Sequence, residues 1–353
     1  MGTESIESSF LSIFALTSFF VFLLVSKYSH KIKGGALLDK DFSKPQAFHD
    51  FPVTRSGGIA VITSLSIFFI IYYLLYAKVL YDYILISYSV FLVGFLDDLK
   101  INIKPLKRLA IMMFLLFIFI HVLPINILNI DIPFLTYLMS SHLFSSIFVL
   151  LCFLFVINGA NLIDGFNGLL TINLIIINIV LAYININNEN FEFSILLISQ
   201  IIILLSFLLF NFPTAKIFLG DSGAYTMGAL TSLNTIITNN LNPKISSFFF
   251  CTLLFYLFFE VFFSFFRKLA QKKSPIYPDE KHLHMLSFYK ISSVYGKNKG
   301  NYLNSVIINL LYLIFIIPGL YLANDADLSR YWFFILLLIY LIIYSRLYHL
   351  IKN

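Results

Sequence analysis

SSIFVLLCFLFVINGANLIDGFNGL, residues 145–169, joins an uncharged apolar run to a cluster of asparagines, glycines and one aspartate. The run at 145–157 has the composition of a helix buried in hydrocarbon. Polar residues placed where such a helix leaves the membrane are costly there and point to chemistry.

The rest of the chain has the same character. Of its 353 residues, 59% are hydrophobic, 18% aromatic and 12% charged, with a mean hydropathy of +0.88. A soluble domain carries about a quarter charged residues, so this chain is an all-α, polytopic integral membrane protein, read as one transmembrane domain over 1–353. Cys152 and Cys251 lie inside apolar runs and read as small buried hydrophobes rather than a disulfide or metal pair. The first residues carry Glu4 and Glu7 but no Lys or Arg, so the first apolar run is expected to be a retained span rather than a cleaved signal.

At roughly 20 apolar residues per crossing, spans are expected near 8–26, 57–77, 79–96, 109–127, 143–158, 168–186, 193–211, 222–240, 246–266, 303–323 and 331–350. That makes about eleven, or ten if the second and third merge. The stretch 222–240, rich in Gly, Ser, Thr and Asn, is expected to be covered by other helices rather than by lipid. With the N-terminus outside, only Lys78, Lys244 and Arg330 of the 24 Lys and Arg fall outside. This obeys the positive-inside rule and supports the count. The net charge of +6 therefore needs no nucleic acid; it forms a cytoplasmic rim facing anionic lipid and anionic substrate.

On this topology every unusual polar motif reaches the cytoplasmic face. They are PVTRSGGIA (52–60), GFLDDLK (94–100), NGANLIDGFNGL (158–169), IFLGDSGAY (217–225) and PDEKHLHML (278–286). Asp97 and Asp98 are adjacent acids at a helix C-terminus, where they oppose the macrodipole and repel each other. Metal coordination or proton transfer linked to phosphate explains their presence better than a solvated helix end. Asn158, Asn161 and Asp164 recur every three residues and share an arc if the helix continues. Asp221, between Gly220 and Gly223 before a helix, reads either as an N-cap or as a hard-metal carboxylate beside backbone N–H groups that face phosphate. His282 and His284 lack further Cys or His partners for zinc and fit phosphate or leaving-group contacts. Arg55, beside Gly57 and Gly58, reads as an anion contact, with Lys100 and His49 as further basic candidates. Carboxylates together with basic groups at headgroup depth suggest Mg2+ or Mn2+ and a phosphorylated lipid substrate.

As a set, these motifs resemble the polyprenyl-phosphate N-acetylhexosamine-1-phosphate transferases, the glycosyltransferase family 4 enzymes that begin O-antigen, teichoic acid and peptidoglycan lipid intermediates. KPQAFHDFPVTRSGGIA looks like the family's first cytoplasmic loop, and GFLDDLK like its paired-aspartate motif. NGANLIDGFNGL, FLGDSG and DEKHLHML look like its Asn/Asp, metal-aspartate and histidine motifs, and the order agrees over residues 40–290.

The resemblance implies attack of polyprenyl phosphate, such as undecaprenyl phosphate, on the β-phosphorus of a UDP-N-acetylhexosamine. UMP leaves and polyprenyl-diphosphate-sugar forms. It implies Asp97 and Asp98 as the catalytic pair and Asp221, with Asp97, as ligands of Mg2+, Mn2+ being the alternative ion. Asn158, Asn161, Asp164, Gly220, His282, His284, Lys100, Arg55 and His49 would bind substrate. A multi-pass place in the bacterial inner membrane follows, and a homodimer stays open. The histidine loop departs from the family pattern at Glu280 and Met285, and it lacks the richer histidine cluster of the peptidoglycan branch, which favours the branch that initiates surface polysaccharides. The rival class, a transporter or lipid flippase, would put ionisable groups near the midplane and often shows repeated halves. Here the acids sit at one interface, and none of these motifs recurs.

Overall fold

The computed structural model describes residues 2–35, 37–39, 52–101, 103–274 and 279–352. His49 lies outside the described residues, as does most of the loop before Pro52. The first half of the chain gives helices α1 (Gly2–Tyr28), α2 (Gly57–Tyr76), α3 (Tyr81–Asp98), α4 (Pro105–Val122), α5 (Pro133–Met139), α6 (His142–Ile163) and α7 (Leu169–Asn187). The second half gives α8 (Phe191–Asn211), α9 (Gly220–Leu241), α10 (Ser247–Leu253), α11 (Phe255–Ala270), α12 (Leu283–Tyr295), α13 (Lys297–Leu322) and α14 (Ala326–Lys352). A 3-10 turn (Ser29–Gly34) follows α1, and two short antiparallel strands, β1 (Leu38–Asp39) and β2 (Val53–Thr54), precede α2.

Each expected span coincides with one of these helices or, at 246–266, with the pair α10 and α11. Among the described residues eight helices are long and apolar enough to cross a membrane, and nine if the bent pair α10–α11 counts as one span. The protein is thus an all-α, multi-pass membrane protein. Neither α3 nor α9 is among those eight, for a physical reason visible in each. α3 carries Asp82, Asp97 and Asp98, and α9 carries so many hydroxyls and amides that it is scarcely hydrophobic. The expected continuous span at 246–266 is broken: α10 and α11 meet at a bend of 77°. α11 exposes Phe262, Phe265 and Phe266 along one side and buries Glu260, Ser264 and Lys268 on the other. Cys152 is half-buried and Cys251 exposed on α10, so only the first partly fits the reading as a core residue; both are free.

α9 is the axis of the bundle. Its polar residues are buried almost without interruption from Ser222 to Asn239, as expected of a helix covered by its neighbours. Their groups find partners across helices. The Tyr83 hydroxyl donates to Asn234 Oδ1 at 2.8 Å, and Asn234 Nδ2 donates to Gln200 Oε1 at 2.8 Å and Asn178 Oδ1 at 3.0 Å. In a hydrocarbon setting such groups must be satisfied internally, so this seam fixes how α3, α7, α8 and α9 are aligned.

Small residues let the backbones meet. A Cβ on Gly94 of α3 would lie 2.6 Å from the Asp221 carbonyl and from Ser222 Cα. Those are backbone atoms that cannot step aside, so only glycine brings the end of α3 against the start of α9. Gly94→Ala is therefore expected to destabilise the protein by about 1–3 kcal/mol through overpacking. Thermal unfolding in detergent measures this, with Gly165→Ala as the silent control because nothing lies within 4 Å of the added carbon.

Candidate active site

The site is assembled where α2, α3, α4, α6 and α9 end together. Residues 54–58 run beside 217–219 in continuous backbone pairing. Phe218 N donates to Thr54 O at 2.8 Å, Gly57 N to Phe218 O at 2.9 Å and Gly58 N to Leu219 O at 2.8 Å. This brings Arg55 beside Asp221. The chain then turns into α9 at Gly220, whose φ of +76° suits glycine.

Asp98 lies directly beneath that turn, 1% exposed. Its Oδ1 accepts the Asp221 N–H at 2.9 Å, and its Oδ2 accepts the Ser222 N–H at 2.9 Å and the Ser222 hydroxyl at 2.6 Å. A side chain at Gly220 would press within 2.7 Å of the same carboxylate. Asp98 is thus the cap of α9, supplied from another helix, and its negative charge meets the positive end of the α9 dipole. Neither Asp221 nor Ser222 caps α9 itself.

With Asp98 turned to the backbone, Asp97 and Asp221 are the acids that meet Arg108. The Nη1 of Arg108, in the first turn of α4, lies 2.6 Å from Asp97 Oδ2 and 2.8 Å from Asp221 Oδ2. The guanidinium also stacks 5.5 Å from the Tyr225 ring centre. Arg55 approaches from the other side, with Nη1 3.7 Å from Asp221 Oδ1 and 4.0 Å from Asp98 Oδ1. Its Nη2 and Nε are held by Asp39 Oδ2 at 2.8 and 2.9 Å. The Tyr225 hydroxyl reaches Asp221 Oδ2 at 3.5 Å and receives Asn161 Nδ2 at 3.4 Å, tying α6 to α9.

Asp164, at the end of α6, is near enough for Asp221, Arg55 and Asp98 to act on its charge. Burial raises the carboxyl pKa of Asp98, against the pull of the Ser222 hydrogen bonds and Arg55. Burial also raises Asp221, and the Asp98 charge pushes it further. Asp97, Asp98, Asp164 and Asp221 face two arginines, one of them shared with Asp39, so the cluster has room for more positive charge.

That donor set suits a hard divalent cation. Mg2+ commonly takes one or two protein carboxylates and completes its shell with water and phosphate. Here Asp97 and Asp221 already converge on one cationic nitrogen. No group of three or more His, Cys, Asp or Glu among the described residues is arranged to hold a metal by itself.

Other residues singled out in the sequence are placed differently. Asn158 Nδ2 donates back to Leu154 O of its own helix at 2.7 Å. Lys100 is exposed, and its Nζ donates to Leu38 O at 2.9 Å, away from the carboxylates. His282 and His284 are both buried and stack on each other, centres 5.4 Å apart. His282 Nδ1 lies 3.2 Å from Glu260 Oε2, while Glu260 Oε1 also accepts the Tyr340 hydroxyl at 2.8 Å and the Leu283 N–H at 3.2 Å. Burial pushes the pKa of His284 down to about 3, so its ring stays neutral. His284 Nδ1 lies 3.3 Å from the Tyr256 hydroxyl, so both histidines pair with protein groups of their own neighbourhood, and His284 touches the α6–α7 loop through the Phe166 ring at 5.8 Å.

That loop, the second half of the stretch 145–169, is itself pinned. Gly168 N donates to Asn211 Oδ1 at 2.7 Å and Asn167 N to Asn301 Oδ1 at 2.8 Å. The residues of 158–169 therefore divide between the site (Asn161, Asp164) and the scaffold (Asn158, Asn167, Gly168).

The sequence did not single out Arg108, Tyr225, Asp39 or Glu260, and Ser222, which it offered as an N-cap, instead donates to Asp98. Tyr225 stands four residues after Asp221, on the same helical face. Glu260 is a lone acid in the apolar FYLFFEVFFSFF, which is a signal in its own right. Nothing local separates Arg108 from Lys104 or Lys107.

Residues 80–239 match the model of glycosyl transferase family 4. An undecaprenyl-phosphate alpha-N-acetylglucosaminyl 1-phosphate transferase of Thermotoga maritima is 27% identical over 332 residues, covering 93% of this chain and 92% of that protein. A phospho-N-acetylmuramoyl-pentapeptide-transferase of Streptococcus agalactiae is 34% identical over 154 residues, or 41% of this chain and 45% of its own length. Its counterpart from Streptococcus thermophilus is 28% identical over 243 residues, or 64% and 70%.

The two adjacent aspartates should separate by stability. Asp98→Ala leaves the Asp221 and Ser222 N–H groups buried without an acceptor and is expected to cost about 3 kcal/mol. Asp97→Ala, at a half-exposed position, should shift the melting temperature in detergent far less. A larger loss from Asp97→Ala would refute the capping role.

Proposed function

From the match of residues 80–239 to the glycosyl transferase family 4 model and the likeness of nearly the whole chain to the Thermotoga maritima enzyme, we propose that this chain transfers N-acetylhexosamine-1-phosphate from a UDP-sugar to a polyprenyl phosphate. The observation that carries this reading is the convergence of Asp97 and Asp221 on a single cation position at the start of α9. That position lies at one end of the bundle, which the distribution of Lys and Arg assigns to the cytoplasm.

In the reaction an oxygen of the lipid phosphate forms a bond to the β-phosphorus of the UDP-sugar. The bond from that phosphorus to the oxygen bridging it to the α-phosphorus breaks, and UMP leaves with the electron pair. Such a transfer needs positioning and charge neutralisation more than covalent help. Asp97 and Asp221 would hold Mg2+, which supplies neutralisation of the diphosphate and of the developing charge on UMP. Arg55, braced by Asp39, faces the same space and offers a fixed cation to phosphate oxygens. Asn161 and Asp164 line its far side through Tyr225 and the α6 terminus. Asp98 holds Asp221 in place by capping α9. The buried histidine loop shapes the wall behind Phe166.

N-acetylglucosamine is the sugar favoured here, because the Thermotoga maritima protein named for it aligns over nearly the whole of both chains. A second reading, transfer of phospho-N-acetylmuramoyl-pentapeptide, is supported by the higher identity of the shorter Streptococcus alignments.

The test is UMP release by purified protein in detergent with undecaprenyl phosphate, Mg2+ and a panel of UDP-sugars that includes UDP-N-acetylglucosamine and UDP-N-acetylmuramoyl-pentapeptide. UMP should appear only with lipid phosphate and metal together, and Asp221→Asn should lower the rate by about 100-fold or more. UMP formed without metal, or an Asp221→Asn variant as active as the parent across a Mg2+ titration, would remove the metal assignment. No UMP from any donor would remove the transferase reading.

A further inference from the structure

Two carboxylates converge on Arg108 Nη1, and both belong to the metal set proposed above. Asp97 Oδ2 and Asp221 Oδ2 each spend an oxygen on that one nitrogen, at 2.6 and 2.8 Å. Arg55 is a different kind of neighbour: Asp39 anchors it, and its free Nη1 stays 3.7–4.0 Å from the acids. The Arg108 side chain is 17% exposed and is bound through these two ion pairs and the Tyr225 face. A divalent ion needs carboxylate oxygens at about 2.0–2.1 Å. The same oxygens cannot serve it and a guanidinium nitrogen at full strength, and the two positive charges would repel at close range.

We propose that Arg108 is the resident counter-cation of this site, displaced by the divalent ion and then turned to the phosphate oxygens of the substrate. The inference rests on the metal assignment made under the proposed function.

Before metal arrives, Asp97 and Asp221 beside Asp98 would repel one another. A guanidinium between the first two favours their charged forms and holds them at the spacing a metal needs. Once the ion has taken the carboxylates, Arg108 keeps its charge, because a guanidinium does not deprotonate in proteins. It then requires another anion within reach. Its planar fork of N–H donors matches phosphate oxygens in pairs, which a lysine does not. The place at the first turn of α4, beside the motif-bearing ends of α3 and α9, lets a change of side-chain rotamer accomplish this without moving a helix.

The experiment is Mn2+ binding to purified protein in detergent, without substrate, followed by the loss of the free-ion electron paramagnetic resonance signal. Arg108→Gln should bind Mn2+ about tenfold more tightly than the parent, since a unit charge close to the ion has been removed. Arg108→Lys, which keeps the charge, should stay near the parent. Equal or weaker binding by Arg108→Gln overturns the proposal. If neither the parent nor Arg108→Gln binds Mn2+, the metal assignment falls and this inference falls with it, whatever the transferase assay shows.

A second measurement uses the unaltered chain. Phenylglyoxal labelling of Arg108, read by mass spectrometry, should be low in chelator, rise at saturating Mg2+, and fall again when UDP is added. Labelling that Mg2+ does not raise overturns the displacement. Labelling that UDP does not suppress overturns the transfer to phosphate.

Discussion

The carboxylate of Asp98 holds the start of α9, and the remaining geometry of the site follows from that contact. It accepts two backbone N–H groups and a hydroxyl from Asp221 and Ser222. An anion of this kind is stable in a buried place only when its oxygens are satisfied, and a helix N-terminus offers unpaired donors together with a favourable dipole. The arrangement demands that α3 end where α9 begins, which the close contact at Gly94 permits. It also demands a sharp entry into α9, which Gly220 supplies. Asp221 then projects from a helix end that has no freedom to shift.

Charge decides what such a site attracts. Desolvated acids packed within a few ångströms of each other are mutually destabilising, and each raises the pKa of the next. Arg55 and Arg108 offset part of this, one braced by Asp39 and the other suspended between Asp97 and Asp221. The residual negative potential favours a divalent cation, and the cation with the arginines favours phosphate. On the proposed function the same feature would serve metal and substrate in turn, as a reaction that moves a phosphoryl group between two anions requires.

The histidine loop follows a different logic. Glu260 is buried on α11 and draws His282, the Leu283 N–H and the Tyr340 hydroxyl around itself. A carboxylate in an apolar helix must find such partners, and the 77° bend between α10 and α11 turns it toward them rather than into hydrocarbon. The last helix, α14, thereby braces a loop whose other side touches Phe166 and the α6–α7 connection.

How much of this was legible in the sequence depends on the range of the interaction. Apolar runs report burial in lipid directly, so the helices fall where hydropathy puts them. The covering of α9 is likewise visible in its own hydroxyls and amides. The motif residues Asp97, Asp98, Asp221, Asn161 and Asp164 could be gathered to one end because each sits at the end of an apolar run. The adjacent aspartates look alike in GFLDDLK, yet one is a buried cap and the other a half-exposed partner of Arg108. Helical rotation directs the first toward α9 and the second toward α4, and only the packing of three helices decides that. Arg108 is one of several basic residues in a row, and the histidines, read from the sequence as phosphate or leaving-group contacts, are buried, with His282 paired to Glu260. The sequence by itself determined that this is a multi-pass helical membrane protein with acids and amides gathered at one interface, because hydrophobic periodicity and the cost of charge in lipid are local properties. Only the tertiary structure decided which carboxylates remain open to a ligand, because that depends on hydrogen bonds between residues more than a hundred positions apart.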